Sequence, residues 1–194
     1  MTDWGRHRSI FRGIVRLVQF NSQGLLEFGD TPQAFFNSLA PLLAFPLVGG
    51  ARTLLSGSPR LAVANVLVSV IALITPPVIS HWFASLWHRE ALWLRYATAY
   101  NWCQVAIFVP LLVLWLVTAG RLGRGGPVWV LLPFLYLAVL NGFLAQRALR
   151  VSILRAVLLV VGVTIGFYIL MTVPIAFIAW FRGINIVQLL ETGM

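Results

Sequence analysis

Residues 153–181 read ILRAVLLVVGVTIGFYILMTVPIAFIAWF, an apolar run interrupted by a single charged residue, Arg155. A helix rises about 1.5 Å per residue, so a helix of this length exceeds the roughly 30 Å hydrocarbon core of a bilayer. Other apolar stretches of spanning length precede it in the chain. Together the stretches occupy residues 33–55, 61–86, 97–119, 127–146 and 153–181. The sequence therefore predicts an all-α, polytopic integral membrane bundle of five transmembrane helices.

Composition agrees with a membrane protein and suggests a simple domain organisation. Hydrophobic residues make up 60% of the chain and charged residues 10%, whereas soluble domains carry about 25% charged residues. We expect an amphipathic cytoplasmic segment over residues 1–30, a transmembrane domain over 31–185 and a short tail over 186–194. Cys103 is the only cysteine, so neither an intrachain disulfide nor a cysteine metal cluster can form.

Arginine supplies every basic side chain and predicts the orientation in the membrane. The formal net charge is +9, but the arginines flank apolar stretches, which favours phospholipid over nucleic acid as the partner. The side of the N-terminus carries Arg6, Arg8, Arg12, Arg16, Arg89, Arg95, Arg147, Arg150 and Arg155, and the other side carries Arg52, Arg60, Arg121, Arg124 and Arg182. This bias predicts a cytoplasmic N-terminus and a C-terminus on the outer side of the membrane.

The segment before the first apolar stretch, RSIFRGIVRLVQFNSQGLLEF at residues 8–28, is too polar to span a bilayer. Its polar side chains recur at spacings of three and four, which places them on one stripe of a helix. They are Arg8, Arg12, Arg16, Gln19 and Gln23. We expect an amphipathic helix in the membrane interface, with the three arginines on anionic lipid headgroups. The alternative is a helix that packs against the end of the bundle.

The first spans contain helix signals and helix breakers. Thr31 is a predicted N-cap and Pro32 a predicted first helical residue. The first span contains Pro41 and Pro46, which predict a kink or a break. In the second span two adjacent prolines at 76–77 remove two backbone donors. They predict a sharp bend, or a helix that ends near Thr75.

Polar side chains within the apolar stretches are the candidate functional residues, because they are costly at membrane depth. Asn101 and Gln104 lie one turn apart on the third span, and Asn141 lies on the fourth. One interpretation is a polar cavity that takes a substrate. The other is hydrogen bonding between helices, with Asn141 as a candidate partner because short connections pair helices antiparallel.

Catalytic and metal chemistry find little support in the sequence. His81 and His88 are seven positions apart, which does not match an i,i+4 zinc pair, and tryptophans of an interfacial belt surround them. Glu27 and Asp30 precede the first span. We interpret them as capping residues or as ion-pair partners of the arginines in the amphipathic segment. We expect no catalytic residue, no metal site and no cofactor.

Two short elements carry a resemblance to a known family. They are the run Gly29-Asp30-Thr31-Pro32 that leads to Phe35-Phe36, and Tyr100-Asn101-Trp102 at the start of the third span. With five close spans behind an amphipathic segment, the chain resembles the bacterial branch of the Yip (Ypt/Rab-interacting-protein-like) family. The Asp-Leu-Tyr-Gly-Pro element of eukaryotic members is absent. The resemblance therefore implies an architecture with an unassigned role rather than GTPase binding. It also implies a bacterial inner membrane, in which the predicted orientation places the C-terminus in the periplasm.

Two functions are consistent with the sequence. The first is a non-enzymatic membrane protein that organises lipids or partner proteins, including further copies of itself, and the basic amphipathic segment motivates it. The alternative is a small permease, motivated by the proline-containing spans and by Asn101, Gln104 and Asn141.

Overall fold

The computed structural model describes residues 9–57, 59–117 and 128–181, and within these ranges every regular element is a helix. The α-helices are α1 (Ile10–Val18), α2 (Pro32–Leu55), α3 (Pro59–Leu86), α4 (Glu90–Val117), α5 (Val128–Leu149) and α6 (Ile153–Phe181). A 3-10 helix, Ser22–Glu27, follows α1. The prediction of an all-α fold is confirmed for the described residues.

Four helices in the described ranges are long and apolar enough to cross a membrane. They are Pro32–Leu55, Ala62–Leu86, Leu132–Leu149 and Ile153–Leu170. The stretch predicted at 97–119 falls on α4, which is not among these four helices. The last two residues of that stretch lie outside the described ranges. The described helices thus have the character of a multi-pass membrane protein.

Local chemistry decides where α2 begins, but prolines do not decide where α2 and α3 end. The Thr31 hydroxyl accepts a hydrogen bond from the Ala34 N–H at 3.2 Å, and α2 starts at Pro32, as predicted. Helix α2 continues through its prolines to Leu55. Helix α3 likewise continues to Leu86, so the predicted end near Thr75 is wrong. Membrane helices tolerate proline where neighbouring groups take up the freed backbone groups.

The chain divides into two compact units. Unit one contains Met1–Pro41 and Ser80–Val160, and unit two contains Leu42–Ile79 and Val161–Met194. In unit two, glycines allow close approach to α3: Gly50 of α2 faces Val66, and Gly166 of α6 faces Ile79. Unit one holds α1, the 3-10 helix, α4 and α5, and therefore most of the candidate site residues.

Helices α1, α3 and α5 end in the same way, with a left-handed residue other than glycine. The residues are Phe20, His88 and Arg150, with φ of 57°, 55° and 52°. In each case the next N–H bonds a carbonyl five residues back, at 2.7 to 3.2 Å, which is the Schellman arrangement that glycine usually completes. The turns after α3 and α5 lie near each other, since the Arg155 guanidinium sits 5.9 Å from the Trp87 ring centroid.

Candidate functional site

Residues 9–28, which we call the N-terminal cap, fold back on themselves. Helix α1 reverses at Phe20 and the 3-10 helix returns beside it. The two helices touch at glycine, because a Cβ on Gly24 would lie 2.7 Å from the carbonyl oxygen of Gly13. A Cβ on Gly13 would lie 2.8 Å from the ring of Phe28. Only glycine permits this separation of the two backbones.

An ion pair closes the N-terminal cap. Arg16 Nη1 lies 3.3 Å from Glu27 Oε1, and Glu27 Oε2 accepts a hydrogen bond from the Ser9 N–H at 3.2 Å. The interpretation of Glu27 as an ion-pair partner of the amphipathic segment is confirmed. Asp30 pairs instead with Arg95 on α4, at 2.5 Å. Among the described residues, both arginine–carboxylate pairs therefore hold the N-terminal region to itself or to α4.

The N-terminal cap packs on the α4–α5 pair. The Phe20 ring lies edge-on to Tyr136 and to Phe143, with centroid distances of 5.8 and 5.5 Å. The Tyr136 hydroxyl donates to the Val18 carbonyl, and Leu17 is fully buried. Packing against the bundle, the alternative to a free interfacial helix, is therefore what the structure contains. The expected polar stripe is also interrupted, because Gln19 ends α1 and Gln23 belongs to the 3-10 helix.

The side of α1 that faces away from the bundle is apolar as well. At 3.6 residues per turn, Phe11 and Val15 lie opposite the buried Gly13 and Leu17. Phe11 is 76% exposed, and Val15 is exposed beside it. Leu26 of the 3-10 helix is 62% exposed. The sequence predicted one apolar side, whereas the folded cap has one that is buried and one that is free.

Two of the three arginines that were predicted to contact lipid headgroups are described, and these two lie in different surroundings. Arg12 is exposed next to the free apolar side, and no carboxylate pairs with it among the described residues. Arg16 is partly buried and engaged with Glu27. Arg8 lies outside the described residues. Of the two described arginines, Arg12 is therefore the one whose guanidinium is available to an external anion.

A buried polar cluster lies where α4 meets α2. Asn101 Nδ2 donates to Ser38 Oγ at 2.9 Å, and Ser38 Oγ donates to the Phe35 carbonyl at 2.6 Å. The Asn101 amide therefore donates to Ser38 and not to the Asn141 carbonyl oxygen. The sequence held no signal for Ser38, because it lies 63 positions from Asn101 and looks like an ordinary helical serine.

The other two candidate amides, Gln104 and Asn141, each have an unsatisfied oxygen. Gln104 is buried, as is Asn101 one turn before it, which agrees with the side that the one-turn spacing predicted. Gln104 Oε1 and Asn141 Oδ1 are both buried, and neither accepts a hydrogen bond from the described part of the protein. Two carbonyl oxygens therefore stay unpaired within a helix bundle.

The two histidines lie in different surroundings. His81 lies edge-on to Trp93 at 4.8 Å, and Trp93 Nε1 donates to Ser80 Oγ at 3.0 Å. His88 is exposed at the left-handed end of α3. No three metal-binding side chains come together within the described ranges. Aromatic rings at this position are typical of a membrane–water interface.

Comparison of the chain with protein-family models, with curated proteins and with solved structures gave no match.

Proposed function

We propose that this chain is a non-enzymatic integral membrane protein that organises lipids at the cytoplasmic surface through its N-terminal cap. The supporting observation is the free side of the cap, where Phe11, Val15 and Leu26 are exposed beside the unpaired Arg12. Apolar side chains next to a basic residue on a surface helix are typical of helices that lie in the headgroup region.

The free energies of apolar burial and of charge attraction favour a lipid surface as the partner of the free side of the N-terminal cap. Full burial of a large apolar side chain contributes roughly 1.5–3 kcal/mol, and an arginine near an anionic membrane contributes about 1 kcal/mol. Three apolar side chains and one guanidinium are therefore enough for a cap that is already tethered to a membrane bundle. Tethering removes most of the entropy cost that a free peptide would meet.

We predict that Arg12→Gln lowers the number of anionic lipids that the purified protein retains. The reason is that Arg12 is the described arginine of the cap without a carboxylate partner. The measurement is native mass spectrometry of protein released from nanodiscs that contain phosphatidylglycerol and phosphatidylcholine. Arg52→Gln is the matched control, since Arg52 is exposed in the last turn of α2. Equal retention by Arg12→Gln and the unaltered protein would count against the proposal.

We also propose that the chain crosses the membrane five times, with α4 crossing in addition to the four helices named above. We propose further that the crossings have a Yip-like arrangement in a bacterial inner membrane. Nine arginines against five support a cytoplasmic N-terminus and an outside C-terminus. A reporter fused after Met194 should then be active only in the periplasm. Activity in the cytoplasm would mean an even number of crossings, and α4 would be the helix to exclude from the membrane.

A further inference from the structure

Two turns of unit one, which we call the paired turns, carry arginines that no described carboxylate neutralises. Residues 87–89 connect α3 to α4, and residues 150–152 connect α5 to α6. Arg89, Arg150 and Arg155 are exposed here, and none of them forms an ion pair within the described part of the chain. Glu90 follows Arg89 and begins α4, and it is likewise without an ion pair there. Three positive charges against one negative charge leave a net charge of +2, which attracts anions.

A contact between the turns brings two of these arginines to one place. The Arg155 guanidinium lies 5.9 Å from the centroid of the Trp87 ring, which is a cation–π separation. Trp87 is half-buried and packs on Phe83, with 5.2 Å between the ring centroids, so the ring is held in place. Arg89 is two residues from Trp87, which limits the separation of their Cα atoms to about 7 Å. Arg89 and Arg155 therefore both adjoin Trp87.

The limits of the spanning helices place the paired turns at the boundary of the hydrocarbon layer. Of the helices that can cross a membrane, one ends at Leu86, one ends at Leu149 and one begins at Ile153. Leu86, Ile153 and Leu154 are 59%, 68% and 70% exposed. Exposed apolar side chains beside guanidinium groups match the acyl chains and the phosphate of a phospholipid. A soluble phosphate compound would use the guanidinium groups alone.

We propose that the paired turns bind the phosphate of an anionic phospholipid, with Arg89 and Arg155 as donors and Trp87 as the support that orients Arg155. A guanidinium whose face rests on a ring keeps its N–H groups in one plane, where they suit two oxygens of a phosphate. Arg150 adds positive charge at the same level. The proposal rests on the proposed membrane location of the chain, but not on lipid binding by the N-terminal cap.

The first test measures lipid binding by the full chain in the Arg12→Gln background, which lacks the available arginine of the cap. Native mass spectrometry in detergent gives the dissociation constant of the first phosphatidylglycerol bound. Arg89→Gln and Arg155→Gln should each weaken this binding roughly fivefold. Arg52→Gln, which removes the same charge from the last turn of α2, should leave it unchanged. An effect in this background cannot come from Arg12, so the paired turns and the cap succeed or fail separately.

A substitution that keeps the charge separates a built site from general attraction. Trp87→Leu removes the ring on which Arg155 rests and should weaken phosphatidylglycerol binding roughly twofold to fivefold. Trp82→Leu is the matched control, because Trp82 is exposed on α3 and no described arginine lies over its ring.

Two results of this comparison would overturn the proposal. If Arg89→Gln and Arg155→Gln bound phosphatidylglycerol as Arg52→Gln does, the arginines would serve membrane orientation alone. If the arginine variants bound more weakly while Trp87→Leu matched Trp82→Leu, the paired turns would act only as surface charge.

Two further measurements use the unaltered protein and stay informative if a variant fails to fold. Glycerophosphoglycerol, which is the headgroup without acyl chains, should not displace phosphatidylglycerol at an equal concentration. Displacement would overturn the choice of a lipid in favour of a soluble phosphate compound. A phosphatidylglycerol with a diazirine beside its phosphate should crosslink to residues 86–90 or 150–155 in nanodiscs. Crosslinks confined to other parts of the chain would overturn the proposal.

Discussion

Gly24→Ala should open the N-terminal cap and raise the amide hydrogen exchange of α1 roughly tenfold to a hundredfold. The added Cβ would lie 2.7 Å from the Gly13 carbonyl oxygen. Because the opposing atom belongs to the backbone, no side chain can turn away, and the two helices must separate. Overpacking of this kind costs about 1–3 kcal/mol. Hydrogen exchange with mass spectrometry over residues 10–18 measures the effect.

Gly49→Ala is the matched control for this prediction. Gly49 is also helical, but a Cβ built there meets nothing within 4 Å. Alanine should therefore leave the exchange of α1 unchanged and should stabilise α2 by about 0.5–1 kcal/mol through helix propensity. If Gly24→Ala exchanged like Gly49→Ala, the close crossing of α1 and the 3-10 helix would be wrong.

Ser38→Ala and Asn101→Leu should each destabilise the protein, and together they should cost less than the sum. Ser38→Ala removes the acceptor of a buried amide N–H, which costs about 1–3 kcal/mol in a protein interior. Hydrogen bonds between membrane helices are worth less, about 0.6–2 kcal/mol. The coupling energy in a double-mutant cycle should fall in that smaller range. Unfolding of the purified variants in mixed micelles, titrated with sodium dodecyl sulfate, measures it.

Asn65→Leu is the appropriate comparison, because its 3.1 Å bond to Thr53 is exposed rather than buried. Its loss should cost less than the loss of the Asn101–Ser38 bond. A coupling energy near zero between Ser38 and Asn101 would mean that the buried bond contributes nothing.

Features set by short-range chemistry could be predicted from the sequence. Apolar length alone predicts the helical membrane class. The start of α2 follows from a threonine that caps and a proline that suits the first turn. The Arg16–Glu27 pair could be anticipated because both residues lie in one short segment. Each of these features depends on residues that are near in the chain.

Features that depend on tertiary contact could not be predicted. The reversal at Phe20 uses a left-handed backbone that only glycine or asparagine would have signalled. The Ser38–Asn101 and Asp30–Arg95 contacts join residues 63 and 65 positions apart. Helix α3 continues through its two prolines against their local preference, as helices in membranes can where neighbouring groups take up the freed backbone groups. The second apolar side of α1 could not be predicted, because it depends on the burial of Gly13 and Leu17 in the folded cap.

The most direct test of the central claim is the environment of the free side of the N-terminal cap in an anionic bilayer. Val15 and Leu26 are replaced one at a time by spin-labelled cysteine in a Cys103→Ser background, with the exposed polar residue Ser22, which lies on a different face of the 3-10 helix from Leu26, as reference. Collision rates with oxygen, which concentrates in lipid, and with a water-soluble nickel chelate are then compared. We predict that labels at 15 and 26 favour oxygen and that the label at 22 favours nickel. Preference for nickel at all three positions would contradict the account, because the free apolar side would then face water.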